Sequence, residues 1–104
     1  MRKQLLIAIA CMITTAASAQ EWKSAVEKWR TCADAAAVRY SKSTESAPVA
    51  ARLAALSCAT EKKQVWQSVS EHDSAHFADD YVETVERHYI DILSVKIIEM
   101  RLQH

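Results

Sequence analysis

The sequence predicts an all-α protein, a disulfide-linked antiparallel helical hairpin followed by a third, C-terminal helix in one small three-helix domain. Three observations carry that prediction. Glycine is absent from the 104 residues and Pro48 is the lone proline. Left-handed turns and phosphate-cradling loops therefore lack their usual residues, and the Ala, Glu, Lys, Arg and Leu background favours helix. Apolar residues recur at three- and four-residue steps along most of the chain. Finally, Cys32 and Cys58 stand on two such stripes in a register that lets them meet.

The first nineteen residues read as an address label. Arg2 and Lys3 give a positive start, Leu5 to Thr15 is an uncharged apolar run, and Ala17-Ser18-Ala19 supplies small residues for cleavage before Gln20. Residues 1–19 are thus expected to be a secretory signal peptide and residues 20–104 a single helical domain. Thr14, Thr15 and Ser18 dilute the stretch below the roughly 18 apolar residues of a spanning helix. A lipid-bearing Cys11 is disfavoured, because cleavage there would leave an apolar run of only Leu5 to Ala10. The expected location is the bacterial periplasm or the medium, where cysteines can pair.

The first helix of the domain is expected from about Glu21 to Ser41. Trp22, Ala25, Val26, Trp29, Cys32, Ala33, Ala36 and Tyr40 share one face. Lys23 with Glu27 and Arg30 with Asp34 sit four apart on the other, where such pairs contribute about 0.2–0.5 kcal/mol each. Ser41 to Ser46 is polar and forms the loop of the hairpin. Pro48 fits the first turn of a second helix capped by Ser46, which carries Ala47, Ala51, Ala54, Ala55, Cys58, Val65 and Val69 on one stripe to about Ser70. Setting Cys32 against Cys58 places Tyr40 near Ala50, Ala36 near Ala54, Ala25 near Val65 and Trp22 near Val69. Every partner is apolar, which supports the hairpin independently of the sulfurs.

Val49, Leu53 and Leu56 point away from the alanine stripe, and a third helix over about 74–102 is the simplest cover for them. Its face would comprise Ala78, Tyr81, Val82, Val85, Tyr89, Ile92 and Leu93. Its start is either Ser70, in a capping-box-like Ser70-Glu71-His72-Asp73, or Ser74; one bent helix running straight through is a third option. From Tyr89 to Leu102 the apolar residues cover more than one helical face, and their β-branched content also suits a strand. With no second strand candidate, helix is the expectation. The excess apolar surface fits either a helix buried on two sides or a surface for a protein partner or self-association.

Charge and motifs narrow the function classes. The full chain carries 13 basic and 13 acidic side chains; without Arg2 and Lys3 it has 11 against 13, a formal charge of −2. That balance gives no electrostatic case for nucleic acid or an anionic membrane surface. Trp22, Trp29 and Trp66 fit the bulky ends of a core better than a ligand groove. His88 reads as a boundary residue, and Ser57 and Ser68 lack an evident His and Asp to activate them. No catalytic motif is present, and no cofactor is implied.

One constellation is able to carry chemistry. If a helix runs through residues 71 to 80, His72, His76 and Asp80 lie on successive turns of one face and can offer two imidazoles and a carboxylate to Zn²⁺, Ni²⁺ or Cu²⁺. The spacing is suitable without being specific, and it lacks the Glu after the first His of the metalloprotease motif. If a helix starts at Asp73 or Ser74, His72 falls outside it.

From Trp29-x-x-Cys32 through Ala50-x-x-Leu53-Ala54-Ala55-Leu56-Ser57-Cys58 the chain resembles small, uncharacterised exported proteins of proteobacteria that carry a two-cysteine, Ala-rich helical hairpin. The resemblance covers the hairpin, leaves the third helix unmatched and carries over no catalytic or binding residue. It implies a bacterial periplasm. The expected function is a non-catalytic exported interaction module. A metal-binding protein using His72, His76 and Asp80 is the alternative, and an enzyme inhibitor or an enzyme without a recognisable signature is the third.

Overall fold

The computed structural model describes the backbone from Arg2 to Gln103 and side chains from Trp22 to Gln103. The cleavage point expected between Ala19 and Gln20, and Cys11, lie outside the described side chains. Four helices follow one another: α1 (Arg2–Ser41), α2 (Ala47–Leu56), α3 (Ala59–His72) and α4 (Ala75–Leu102). Both α2 and α3 pack on α1 and on α4, and α1 packs on α4. They therefore form one descending leg between two ascending helices, and the architecture is an all-α bundle of three legs. None of the described residues takes a positive φ, in keeping with a chain that has no glycine.

The loop after α1 is held by a residue from near the end of the chain. Lys42 N donates to Arg39 O and Ser43 N to Tyr40 O, but the Ser41 and Ser43 carbonyls accept from the Arg101 guanidinium, at 2.9 Å from Nε and 3.0 Å from Nη2. A cation at the C-terminus of α1 also complements the negative end of its dipole. Pro48 lies in the first turn of α2, as expected, and Ser46 precedes that helix without a side-chain capping bond.

The second expected helix is not continuous; it breaks at Ser57-Cys58. Ser57 Oγ donates to Ala54 O at 2.7 Å, occupying the carbonyl that a continuing α-helix would offer to Cys58 N. Cys58 N turns instead to Ala55 O at 3.2 Å, and Lys62 N then donates to Cys58 O to open α3. Local competition between a serine hydroxyl and the helical ladder is the cause. The offset is small enough that Cys58, Val65 and Val69 all remain fully buried.

The choice of start for the last helix falls on Ser74, whose Oγ accepts from Phe77 N at 3.1 Å. Ser74→Ala is expected to cost about 1 kcal/mol, the usual value of such a cap. Urea denaturation of the variant measures it, and an unchanged midpoint would show that the first turn is held by packing alone.

The core has two textures. Ala33, Ala36 and Ala37 of α1 and Ala47, Ala50, Ala51, Ala54 and Ala55 of α2 are all buried, and their small side chains allow the close approach that the Cys32–Cys58 bridge uses, with Cα atoms 6.0 Å apart. Bulk comes from Trp29, Val65, Val69, Leu93 and Ile97. Trp29 is fully buried with its ring edge-on to Tyr89 at 5.1 Å. Trp22 and Trp66 pack against the core but are only partly buried.

Ion pairs stitch α4 to its neighbours. Lys96 Nζ lies 3.0 Å from Asp34 Oδ1 on α1, and Lys62 Nζ of α3 lies 2.8 Å from Glu86 Oε2. Asp34, which spacing alone assigns to Arg30, is thus taken by a residue 62 positions away.

Candidate functional site

The expected metal constellation is divided by the break that starts α4. His72 ends α3, while His76 and Asp80 lie in the first turns of α4, so the three do not share one helical face. His72 packs its ring against Trp22 at 5.3 Å. His76 Nε2 sits 3.6 Å from Asp80 Oδ2, with both side chains largely in solvent. Among the described residues, the group of three donors whose ligand atoms come within 4.8 Å of one another is Cys32, Cys58 and Glu61. Its sulfurs are joined in the disulfide and have no thiolate to offer a metal.

Furrows run along α1 and α4, one of them closed at its end by α3. One, of about 510 Å³, is walled by Trp22, Val26, His72 and Tyr81 with Lys23 and Glu27 at its rim. Trp22 meets Tyr81 edge-on at 5.5 Å, so the two rings brace each other along the furrow wall. A second, of about 370 Å³, contains Arg30, Asp34, His88, Tyr89 and Lys96. The Lys96–Asp34 pair ties the two helices together here. Burial raises the Tyr89 hydroxyl above its ordinary pKa of 10.0, and the nearby Arg30 guanidinium pulls it partly back. His88 is exposed on this rim. Charges of both signs alternate along these furrows, and no nucleophile, base and oxyanion donor converge.

The tryptophans divide between packing and polar contact. Trp29 belongs to the core. Trp66 donates its indole N–H to Asp79 Oδ1 at 2.7 Å, joining α3 to α4 close to the break. Ser57 spends its hydroxyl on Ala54 O.

The largest departure from expectation is on the outer surface. Val49, Leu53 and Leu56 are not covered by α4; they are 40, 37 and 59 % exposed. The alanine side of α2 already serves both α1 and α4, because side chains this small let two helices approach one leg together. A second exposed row lies on α4 itself, where Val95, Ile98 and Leu102 are 56, 47 and 80 % exposed. Leu93 and Ile97, on the opposite side of that helix, are buried. The last helix is thus apolar on both sides and covered on one. Sequence periodicity detected the excess apolar surface but not that α2 shares it, since the stripes alone do not say which neighbour fills which side.

Fold and surface together define a disulfide-stapled α-helical protein whose exposed chemistry is apolar rows flanked by charge. No family model, curated protein or solved structure matches the chain. Among the described residues no helix is long and apolar enough to cross a membrane.

Proposed function

We propose that the protein is an exported, non-catalytic interaction module that works through the outer faces of α2 and α4. The observation that carries this reading is the pair of solvent-facing apolar rows, Val49, Leu53 and Leu56 on one helix and Val95, Ile98 and Leu102 on the other. Scattered exposed apolar residues are ordinary, whereas rows repeated over successive turns are the pattern of a protein contact. Export is supported by the leader-like Met1 to Ala19 and by the Cys32–Cys58 bridge, which belongs to an oxidising compartment. The periplasm is the compartment favoured by the resemblance of the hairpin to small exported proteobacterial proteins.

The test is a pull-down from periplasmic extract with the wild-type protein and with a Val95→Ser/Ile98→Ser variant. Both positions are exposed, so the variant is expected to melt as the wild type does. A partner retained by the wild type and lost by the variant is the expected result. Equal recovery with both proteins would show that the α4 row has no role in binding.

A further inference from the structure

We propose that these rows are covered by a second copy of this chain, with α2 of each copy lying along α4 of the other. The inference rests on the reading that the rows are binding surfaces and adds the identity of the occupant. Charge decides the pairing. Arg52 is exposed on α2 between the turns of Val49 and Leu56, and Asp91 and Glu99 are exposed on α4 within one turn of Val95. Among the described residues, none of these three takes part in an ion pair within the chain.

Three arrangements bring apolar rows together, and two of them oppose like charges. Antiparallel pairing of α2 with its own copy about the middle of its row brings Arg52 against Arg52. Pairing α4 antiparallel with its copy about the middle of its row, at Ile98 and Glu99, brings Glu99 against Glu99, and a parallel arrangement sets each carboxylate beside its own copy. Only α2 on α4 opposes unlike charges while covering both rows.

Levels along the bundle agree with that choice. The disulfide ties Cys58 to Cys32, and Trp29, three residues before Cys32, meets Tyr89. Since Trp22 meets Tyr81 and Arg101 meets Ser41, α1 and α4 ascend together. Cys58 therefore lies at about the level of Ile92, and Arg52, about 9 Å before it on the descending leg, lies at about the level of Ile98 and Glu99. A two-fold axis parallel to the bundle keeps levels unchanged while exchanging α2 and α4 across the interface. It sets Arg52 beside Glu99 of the second copy, twice, and the contact closes as a dimer.

Sedimentation velocity on the purified, oxidised protein, as processed by its producing cell, tests this over a concentration series. The expected result is a reversible monomer–dimer equilibrium. Arg52→Glu is expected to weaken it by about tenfold or more, and the exchange Arg52→Glu/Glu99→Arg to restore it, with circular dichroism melts confirming that every variant is folded. A wild type that stays monomeric at its highest soluble concentration overturns the proposal, as does a dimer indifferent to Arg52→Glu or not rescued by the exchange. If the wild type is monomeric while Val95→Ser/Ile98→Ser still abolishes capture of a different partner, the second-copy inference fails and the interaction-module reading stands.

Discussion

Replacing Cys32 or Cys58 with alanine is expected to lower the melting temperature by roughly 15 °C, corresponding to about 3 kcal/mol for a bridge of this loop length in a domain this small. The bridged residues are 26 apart in sequence, so reduction restores considerable freedom to the unfolded chain. The folded state has little to set against that loss. Around the bridge, α1 and α2 meet through alanines, each of which buries much less apolar surface than a leucine or valine and so contributes less to holding the helices together. Calorimetry of the oxidised and reduced wild type, alongside the Cys58→Ala variant, measures the effect. An identical melting curve with and without reductant would mean that the hairpin is held by packing and that the bridge is incidental.

Trp29→Ala is expected to cost about 3–5 kcal/mol, the range for deleting a large buried aromatic ring. Trp29 is the largest fully buried side chain. It provides much of the bulk between α1 and α4 that the alanines cannot, and its loss would leave Tyr89 without its edge-on partner. A second variant separates volume from polarity. The Trp29 indole N–H is buried without an acceptor, a cost that a phenyl ring does not incur. Trp29→Phe is therefore expected to be much milder than Trp29→Ala, despite its smaller ring. Urea denaturation of both variants provides the comparison; equal losses would argue that the indole nitrogen contributes a favourable contact after all.

How much was legible in the sequence depends on how local the signal was. The α1 face from Trp22 to Tyr40, the polar loop with Pro48 after it, and the pairing of Cys32 with Cys58 could be read directly, because helical periodicity and sulfur chemistry act over short distances or through unique partners. The break at Ser57-Cys58 was invisible for a related reason. Serine is common within helices, and only the backbone shows whether its hydroxyl takes a carbonyl from the ladder. The cap at Ser74 was one of two reasonable starts, and the Phe77 N–H bond decided between them. With it the common face expected for His72, His76 and Asp80 disappeared, since that face required an unbroken helix.

The sequence by itself determined an α-helical chain with one bridge, a leader-like start and more apolar residues than a single helical face accommodates. Those properties follow from residue type and spacing. Tertiary structure alone decided which surplus residues face solvent. Alanine-lined α2 approaches both neighbours through its small side, leaving Val49, Leu53 and Leu56 outside, and α4 turns Leu93 and Ile97 inward while Val95, Ile98 and Leu102 remain out. It also gave Asp34 to Lys96 and the end of α1 to Arg101. These outcomes depend on how three legs share one small core, and periodicity along a single helix carries no information about the direction from which its neighbours approach.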